Sequence, residues 1–228
     1  MHHLPRALAA LLSLALAVPV ALLALPVASS ASAATTPVLL VHGFGGSPAS
    51  FTTMAARFAA DGRRVYALDL PGQDNVANAQ AIRDFVTAHH FTRVDLVAHS
   101  MGGLSSRWYI EYLGGASRVA HYVSLGTPQL GLPIACVLPL DGGGQMCPGS
   151  AFLAQLNATG AKRGSTSFTS IFSASDGFVP TATSRLPGRA CLVDDTGVSH
   201  GGLLRDTRVY RQVLAALGGR CPSAFTAS

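Results

Sequence analysis

The chain is short of charged side chains, which make up 12% of its 228 residues, about half the share usual in soluble domains. Aromatic residues are also few, at 7%, with a single tryptophan. Because 49% of the sequence is apolar, disordered and coiled-coil proteins are excluded. The 24 glycines and 13 prolines indicate many short turns and argue against a solenoid or a simple helix bundle. A globular domain is therefore expected.

Motifs for binding metals, nucleotides and nucleic acids are also missing. The four cysteines form no CxxC pair, and none stands beside a histidine at zinc-ligand spacing, so no metal site is expected. The glycine-rich segment 42–46 contains neither GxGxxG nor a P-loop lysine, which argues against a nucleotide cofactor. The basic residues behind the net charge of +5 are scattered singly, which favours an ordinary basic surface over a nucleic-acid interface. We expect no cofactor and no nucleic-acid partner.

The longest hydrophobic run lies near the amino terminus. Residues 7–27 are largely apolar, follow a short basic start and precede the small-residue stretch 29–34. This arrangement predicts a secretory signal peptide over residues 1–34, and hence a secreted protein with no membrane span after cleavage. An uncleaved membrane anchor is the alternative, because the run is long enough to cross a bilayer. Residues 35–228 are then expected to form a single domain and a monomer.

The cysteines fit an exported protein. An even number predicts two disulfides, although four cysteines allow three pairings. We favour Cys136 with Cys147 and Cys191 with Cys221, because each pair closes a local segment. Residues 126–150 are rich in proline and glycine and show neither helical nor strand periodicity. They are predicted to form a long surface loop that the first disulfide staples.

Short apolar runs and segments with helical spacing alternate along the rest of the chain. The runs predict strands at 37–41, 64–68, 94–98, 119–125, 167–173 and 189–193, and the helical segments lie at 50–60, 77–89, 100–112, 151–157 and 203–217. Continuous apolar strands separated by helices indicate a parallel sheet that is buried on both faces. The predicted class is α/β, with a mainly parallel sheet of about six strands and helices on both faces.

Ser100 stands between a predicted strand and a predicted helix, in Ala98-His99-Ser100-Met101-Gly102. Small residues two positions to either side permit the sharp strand-to-helix turn called a nucleophile elbow, where larger side chains would clash. A serine that caps a helix is the alternative interpretation. The strand before it and the helix after it favour Ser100 as a nucleophile.

A serine nucleophile needs a base to take its proton. His200 lies between the last predicted strand and the last predicted helix, where a loop at the carboxyl edge of the sheet can reach Ser100. It is the predicted base. His42 and His99 are predicted to orient the loops in which they lie.

The base needs a carboxylate partner, and Asp176 is the predicted one. It directly follows the strand 167–173 and gives the chain order Ser, Asp, His that this architecture requires. Asp194 and Asp195 are the rival candidates, although they lie close in sequence to His200. The backbone N–H groups of Phe44, in the glycine loop, and Met101, at a helix start, are the predicted oxyanion donors.

Four motifs together resemble those of a known family. They are Val41-His42-Gly43-Phe44-Gly45-Gly46, Ala98-His99-Ser100-Met101-Gly102-Gly103, Ser173-Ala174-Ser175-Asp176 with Val179-Pro180, and Ser199-His200-Gly201-Gly202-Leu203-Leu204. On these motifs the chain resembles secreted bacterial lipases and esterases of the α/β-hydrolase superfamily, the small Bacillus lipases and the actinobacterial class 2 lipases. The resemblance implies the same nucleophile, acid, base and oxyanion donors. The loop 126–150 departs from the minimal Bacillus enzymes, so their open, lidless site is not assumed here.

The residues expected around Ser100 are apolar and suit an acyl chain. The predicted substrate-binding residues are Leu132, Ile134, Val179, Pro180 and Leu203. The predicted function is cleavage of carboxylic esters of lipids through a Ser-His-Asp triad and an acyl-enzyme, as in a triacylglycerol lipase or carboxylesterase, including esters at a lipid interface. The alternatives are a short-chain or polyester esterase, an acyltransferase, a peptidase or amidase, and a secreted binding domain without activity.

Overall fold

A six-stranded sheet forms the centre of the computed structural model, which describes residue 2 and residues 36–158 and 163–225. The strands are β1 (Val38–Val41), β2 (Val65–Ala67), β3 (Val94–His99), β4 (Val119–Leu125), β5 (Ser167–Ser173) and β6 (Cys191–Asp195). Their order is β2-β1-β3-β4-β5-β6, and every neighbouring pair is parallel. The predicted α/β class and the number of strands are confirmed. The predicted signal peptide, apart from residue 2, lies outside the described residues.

Six α-helices connect or follow the strands in the described part of the chain. They are α1 (Thr52–Ala60), α2 (Asn75–Ala88), α3 (Met101–Tyr112), α4 (Ala151–Leu156), α5 (Thr181–Ser184) and α6 (Thr207–Leu217). Helix α2 begins two residues before the predicted start because Asp74 caps it, with Oδ1 accepting the N–H of Ala77 at 2.7 Å. Helix α5 is a single turn that the sequence pattern did not reveal. None of these helices is long and apolar enough to cross a membrane.

Helices cover both faces of the sheet, as predicted. Alternate residues of β1 point to opposite sides, so that Leu40 joins one buried cluster and Leu39 joins another. The first cluster is completed by α1 and α6, and the second by residues of α2 and α3. Strands β1 and β3 are buried along their whole length, which explains why β1 is entirely apolar and β3 is apolar except at Asp95 and His99.

The loop 126–150 is stapled by the predicted disulfide between Cys136 and Cys147. It contains two 3-10 helices, Pro133–Val137 and Gly144–Met146. The side chain of Gln145 ties the loop to the start of α2, because its Oε1 accepts the N–H of Asn75 at 2.7 Å and its Nε2 donates to Asp74 at 2.9 Å. Far from being only a surface loop, the segment is anchored on one side to the body of the domain.

Strand β6 binds the last residues that the structure describes, up to residue 225. The predicted disulfide between Cys191 and Cys221 is present. One carboxylate oxygen of Asp195 accepts the N–H of Phe225 at 2.8 Å and an N–H of Gln212 at 3.0 Å. Asp195 therefore serves as an anchor for this tail.

Candidate active site

Ser100 occupies the turn between β3 and α3 in a conformation that non-glycine residues rarely adopt. Its φ is 53° and its ψ is −130°, and its N–H donates to the carbonyl oxygen of Leu125 at 2.9 Å. The turn is close-packed: a Cβ at Gly43 would lie 2.7 Å from the Cβ of Ser100, and a Cβ at Gly102 would overlap the carbonyl oxygen of His42. Glycine at these two positions makes the strained turn possible.

His200 and Asp176 are joined by two hydrogen bonds. The Nδ1–H of His200 donates to Oδ2 of Asp176 at 2.8 Å, and the backbone N–H of His200 donates to the carbonyl oxygen of Asp176 at 2.9 Å. The ring nitrogen is the donor here because an ionised carboxylate can only accept. This bond leaves Nε2 of His200 as the nitrogen that can accept a proton.

The second oxygen of Asp176 is bound by the backbone. It accepts the N–H of Phe178 at 3.0 Å and the N–H of Val179 at 2.6 Å. Burial raises the pKa of Asp176, but hydrogen bonds from His200 and these two amides, with the positive charge of His200, outweigh burial and leave the pKa below its ordinary value. Asp176 is therefore ionised at neutral pH.

Gly126, which directly follows β4, lies against the pair formed by His200 and Asp176. Its φ is +57°, and a Cβ at this position would lie 2.9 Å from Oδ2 of Asp176 and 3.1 Å from Nδ1 of His200. Both the backbone conformation and the lack of space require glycine. In the sequence, Gly126 marked only the start of a loop.

The two rival carboxylates have other partners. Asp194 is well exposed and lies 3.8 Å from a guanidinium nitrogen of Arg185, while Asp195 binds the carboxyl-terminal tail. Within the described residues, the carboxylate that His200 contacts is that of Asp176.

Ser100 and His200 share one cleft of about 220 Å³. Its walls consist of Gly43, Phe44, Gly46, Ser50, His99, Ser100, Phe178, His200 and Leu204. Phe44 and Phe178 are large apolar side chains that remain exposed. The cleft is therefore open to solvent and has apolar walls beside its two reactive side chains.

The predicted oxyanion donors lie on two segments beside Ser100. Met101 is the first residue of α3, where N–H groups have no partner within the helix and the helix dipole is positive. Phe44 lines the cleft in a tight turn, in which the N–H of Gly46 donates to the carbonyl oxygen of Gly43 at 3.1 Å. The Nδ1–H of His42 donates to the same carbonyl at 3.0 Å, which fits the expected loop-orienting role of His42.

The five predicted substrate-binding residues do not line this cleft. Leu132, Val179 and Leu203 are buried in the core, whereas Ile134 and Pro180 are exposed. Val179 and Pro180 border a neighbouring groove, which shares Phe178 with the cleft.

The actual walls differ from those expected because single-turn helices hide which side chain faces inward. In the 3-10 helix Gly202–Leu204, both leucines are buried in the core, but of the two only Leu204 also lines the cleft. Ser50 and Phe178 were also missed as walls. The position of Phe178 two residues after Asp176 is the one signal that could have revealed it.

His99 lies between Ser100 and the loop of His200. Its Nε2–H donates to the carbonyl oxygen of His200 at 3.0 Å, and the two rings are 4.4 Å apart. Burial, followed by the charge of His200, lowers the pKa of His99 to about 4. His99 is therefore neutral at pH 7.

The described residues include no group of three or more His, Cys, Asp or Glu side chains that could hold a metal ion. What the site assembles is a strained serine, a histidine bonded to an ionised aspartate, and a helix start beside the serine. This set of groups is suited to nucleophilic attack on a carbonyl carbon.

Two bacterial proteins of known structure, a lipase and an esterase, are similar in fold to this chain. The chain is similar to the mature form of lipase BlEst2 from Bacillus licheniformis, with a TM-score of 0.69 and 18% identity over 81% of this chain and 93% of that chain. The propeptide form of that lipase gives a TM-score of 0.68 and 20% identity over 86% of this chain. This chain spans only 53% of the length of the propeptide form. Esterase RhEst1 from Rhodococcus sp. ECU1013 gives a TM-score of 0.58 and 20% identity over 81% of this chain and 91% of that chain.

At these identities the structural likeness shows a shared fold. A family model described as the alpha/beta hydrolase family matches residues 38–225, which is most of the chain. The protein therefore belongs to the alpha/beta hydrolase family.

Proposed function

We propose that the protein is a secreted serine hydrolase that cleaves carboxylic esters of lipids. Ser100 is the nucleophile, His200 the general base and Asp176 the carboxylate that orients the base. The observation that carries the proposal is that a strained serine and a histidine bonded to an ionised aspartate face one apolar cleft. The lipases and esterases of similar fold support ester hydrolysis as the reaction.

The reaction begins with attack of Ser100 Oγ on the ester carbonyl carbon, while Nε2 of His200 takes the hydroxyl proton. The charge of Asp176 stabilises the imidazolium that forms. The N–H groups of Phe44 and Met101 donate hydrogen bonds to the oxyanion of the tetrahedral intermediate. Collapse of this intermediate breaks the bond to the alcohol, which leaves with the proton from His200, and Ser100 carries the acyl group.

Water then completes the cycle. His200 takes a proton from a water molecule, which attacks the acyl carbon and forms a second tetrahedral intermediate. Its collapse releases the carboxylic acid and returns the proton to Ser100. The cycle requires no group outside the chain except water.

Apolar side chains at the surface favour lipid esters over small soluble ones. Ile134, Val137 and Leu140 lie inside the loop 126–150, where they span seven positions, and they are 67%, 79% and 69% exposed. The ring of Phe44 packs against the same loop, because a Cβ at Gly143 would lie 2.6 Å from Phe44 Cε2. Phe44 therefore contacts both the cleft and the loop that carries these exposed side chains, which supports a lipase that works at a lipid interface.

A carboxylesterase for short-chain esters is the second candidate, because the cleft itself is small and open. The two disulfides support secretion, since such bonds persist in oxidising compartments. Mass spectrometry of the protein from a culture supernatant would test this part, because cleavage after residue 33 or 34 gives a defined amino terminus.

The function is tested with the full chain, secreted from a bacterial host, and its Ser100→Ala variant. Hydrolysis of p-nitrophenyl esters from acetate to palmitate and of emulsified triglyceride is measured for both. We expect activity that persists to long chains and falls about 10⁴-fold or more in the variant. A matched Ser117→Ala variant, which changes an exposed serine bonded only to its own turn, should keep wild-type activity.

The outcomes separate the candidates. Activity confined to short esters makes the protein a carboxylesterase. Full activity of Ser100→Ala, or an inactive wild type on every ester, would refute the serine hydrolase mechanism.

A further inference from the structure

His99 connects the segment that carries the nucleophile to the loop that carries the base. It is the last residue of β3 and directly precedes Ser100. Its side chain is only 8% exposed, and its Nε2–H donates to the backbone carbonyl oxygen of His200 at 3.0 Å. A residue next to the nucleophile therefore binds the backbone of the base.

The other bonds of His200 run in a different direction. Among the described residues, its backbone N–H and its Nδ1–H both donate to Asp176, which follows β5. These two bonds set the orientation of the ring relative to Asp176. Of the three hydrogen bonds, the one from His99 is the bond that ties residue 200 to the strand end where Ser100 lies.

We propose that His99 is a positioning residue, whose hydrogen bond to the carbonyl of His200 sets the distance between the base and Ser100. The inference rests on the proposed function. His99 also lines the cleft, but the role proposed for it acts through its bond to the backbone of His200. Proton transfer between serine and histidine is sensitive to such placement, since a shift of about 1 Å can cost about 10²-fold in rate.

The role requires a donor that carries no charge. His200 becomes an imidazolium when it takes the serine proton, and the ring of His99 lies 4.4 Å away. A positive charge on His99 would oppose that step. Burial keeps His99 neutral at working pH, whereas lysine or arginine at this position would donate the bond and bring a charge.

Glutamine is the neutral donor that comes closest to the reach of Nε2 of histidine, whereas asparagine is shorter and leucine donates nothing. The test therefore compares His99→Gln, His99→Asn and His99→Leu in the full chain. The matched control is His89→Leu, which removes a similar ring-to-carbonyl bond, from Nδ1 of His89 to Phe85 at 2.9 Å, at an exposed helix end away from the cleft.

Active-site titration, steady-state kinetics and thermal unfolding are carried out for each variant. The concentration of active sites is titrated with a p-nitrophenyl phosphonate, whose second-order rate constant reports how readily Ser100 is activated. kcat and KM for p-nitrophenyl butyrate are expressed per titrated site, and Tm reports folding.

We expect His99→Leu and His99→Asn to lower kcat and the phosphonylation rate by about 10- to 100-fold, with little change in KM. His99→Gln should recover most of the loss, and His89→Leu should match wild type. If the leucine variant does not fold, the asparagine variant replaces it in the comparison with glutamine. Asparagine is polar and close in size to histidine, but its side chain is too short to make the bond.

Two results would overturn the role. If the variants lose Tm or titratable sites but keep wild-type kcat per site, His99 is only a structural residue. If glutamine is as slow as leucine, the hydrogen bond is not the cause. An inactive wild type that the phosphonate does not label would instead refute the proposed function.

Discussion

The Nδ1 atom of His200 lies 2.8 Å from Oδ2 of Asp176, and a backbone bond of 2.9 Å joins the same two residues. The side-chain bond determines which ring nitrogen carries the proton, because the carboxylate accepts from Nδ1–H. The backbone bond holds the two loops together even when the side chain is changed. Substitution of Asp176 should therefore change the chemistry more than the structure.

Asp176→Asn should lower kcat for ester hydrolysis by about 10⁴-fold. The amide can donate to Nδ1, which would place the ring proton on Nε2 and prevent that nitrogen from taking the serine proton. Asp195→Asn is the matched control, because Asp195 is buried at the end of the neighbouring strand and binds Phe225. It should keep wild-type kcat. Steady-state kinetics of both variants tests the assignment, which fails if Asp195→Asn is the inactive one.

Gly126→Ala should lower both stability and activity. The positive φ disfavours a side chain by about 1–2 kcal/mol, and the added Cβ would push against His200 and Asp176. Gly62→Ala is a matched control, because Gly62 has a φ of +71° and open space around its Cβ position. Urea unfolding should show a loss in both variants, while kcat should fall only in Gly126→Ala. An equal fall in kcat in both would show that the contact with the pair is unimportant.

The stability of the fold should decrease in mild acid because of His99. An unfolded histidine has a pKa of about 6.5, whereas that of His99 is lowered to about 4. Between these values the unfolded chain binds more protons, so the free energy of unfolding falls as pH falls from 6.5 to 4, by about 3 kcal/mol in total. Above pH 6.5 this contribution is fully present. The pKa of Asp176 is also low, so that carboxylate stays ionised across most of this window.

Urea unfolding at pH 7 and pH 4.5 measures the effect. The difference between the two pH values should be smaller in His99→Gln, which cannot titrate, than in wild type. An equal difference in both proteins would assign the acid sensitivity to other groups.

The exposed side chains of the loop should govern adsorption to lipid. Burying an exposed leucine or isoleucine contributes about 1.5–3 kcal/mol, so the triple variant Ile134→Ser, Val137→Ser and Leu140→Ser should bind emulsified triglyceride at least about tenfold more weakly. Its kcat on soluble p-nitrophenyl butyrate should not change. Leu192→Ser, at an exposed leucine of β6, is the matched control. Unchanged adsorption of the triple variant would favour an esterase that acts in solution.

Features that depend on residues close together in the chain could be predicted from the sequence. The apolar runs of β4 and β5 predicted their bounds, and the elbow at Ser100 was visible because its small residues lie two positions away. The disulfide pairs were predictable because each closes a short segment. In these cases the local pattern and the tertiary structure require the same residues.

The features that escaped prediction join distant segments. The bond from His99 to His200 links residues that are 101 positions apart, and nothing in either local sequence indicates it. Gln145 and Asn75 are joined in the same way across 70 positions. The walls of the cleft come from several loops and single-turn helices, where a shift of one residue decides which side chain reaches the cleft. Leu203 and Leu204 are both buried, and of the two only Leu204 lines the cleft.

The loop 126–150 is held by the disulfide between Cys136 and Cys147 and by the two hydrogen bonds of the Gln145 side chain at the start of α2. This ordering also affects the thermodynamics of substrate binding. Phe44, a wall of the cleft, packs against this loop at Gly143, and a wall that rests on an ordered loop loses little conformational entropy when a ligand arrives. The heat capacity change on binding should then report the apolar surface that the ligand covers rather than the folding of a segment. In this respect the ordered loop that supports Phe44 favours a pre-organised site, whose affinity for an acyl chain depends mainly on contact area.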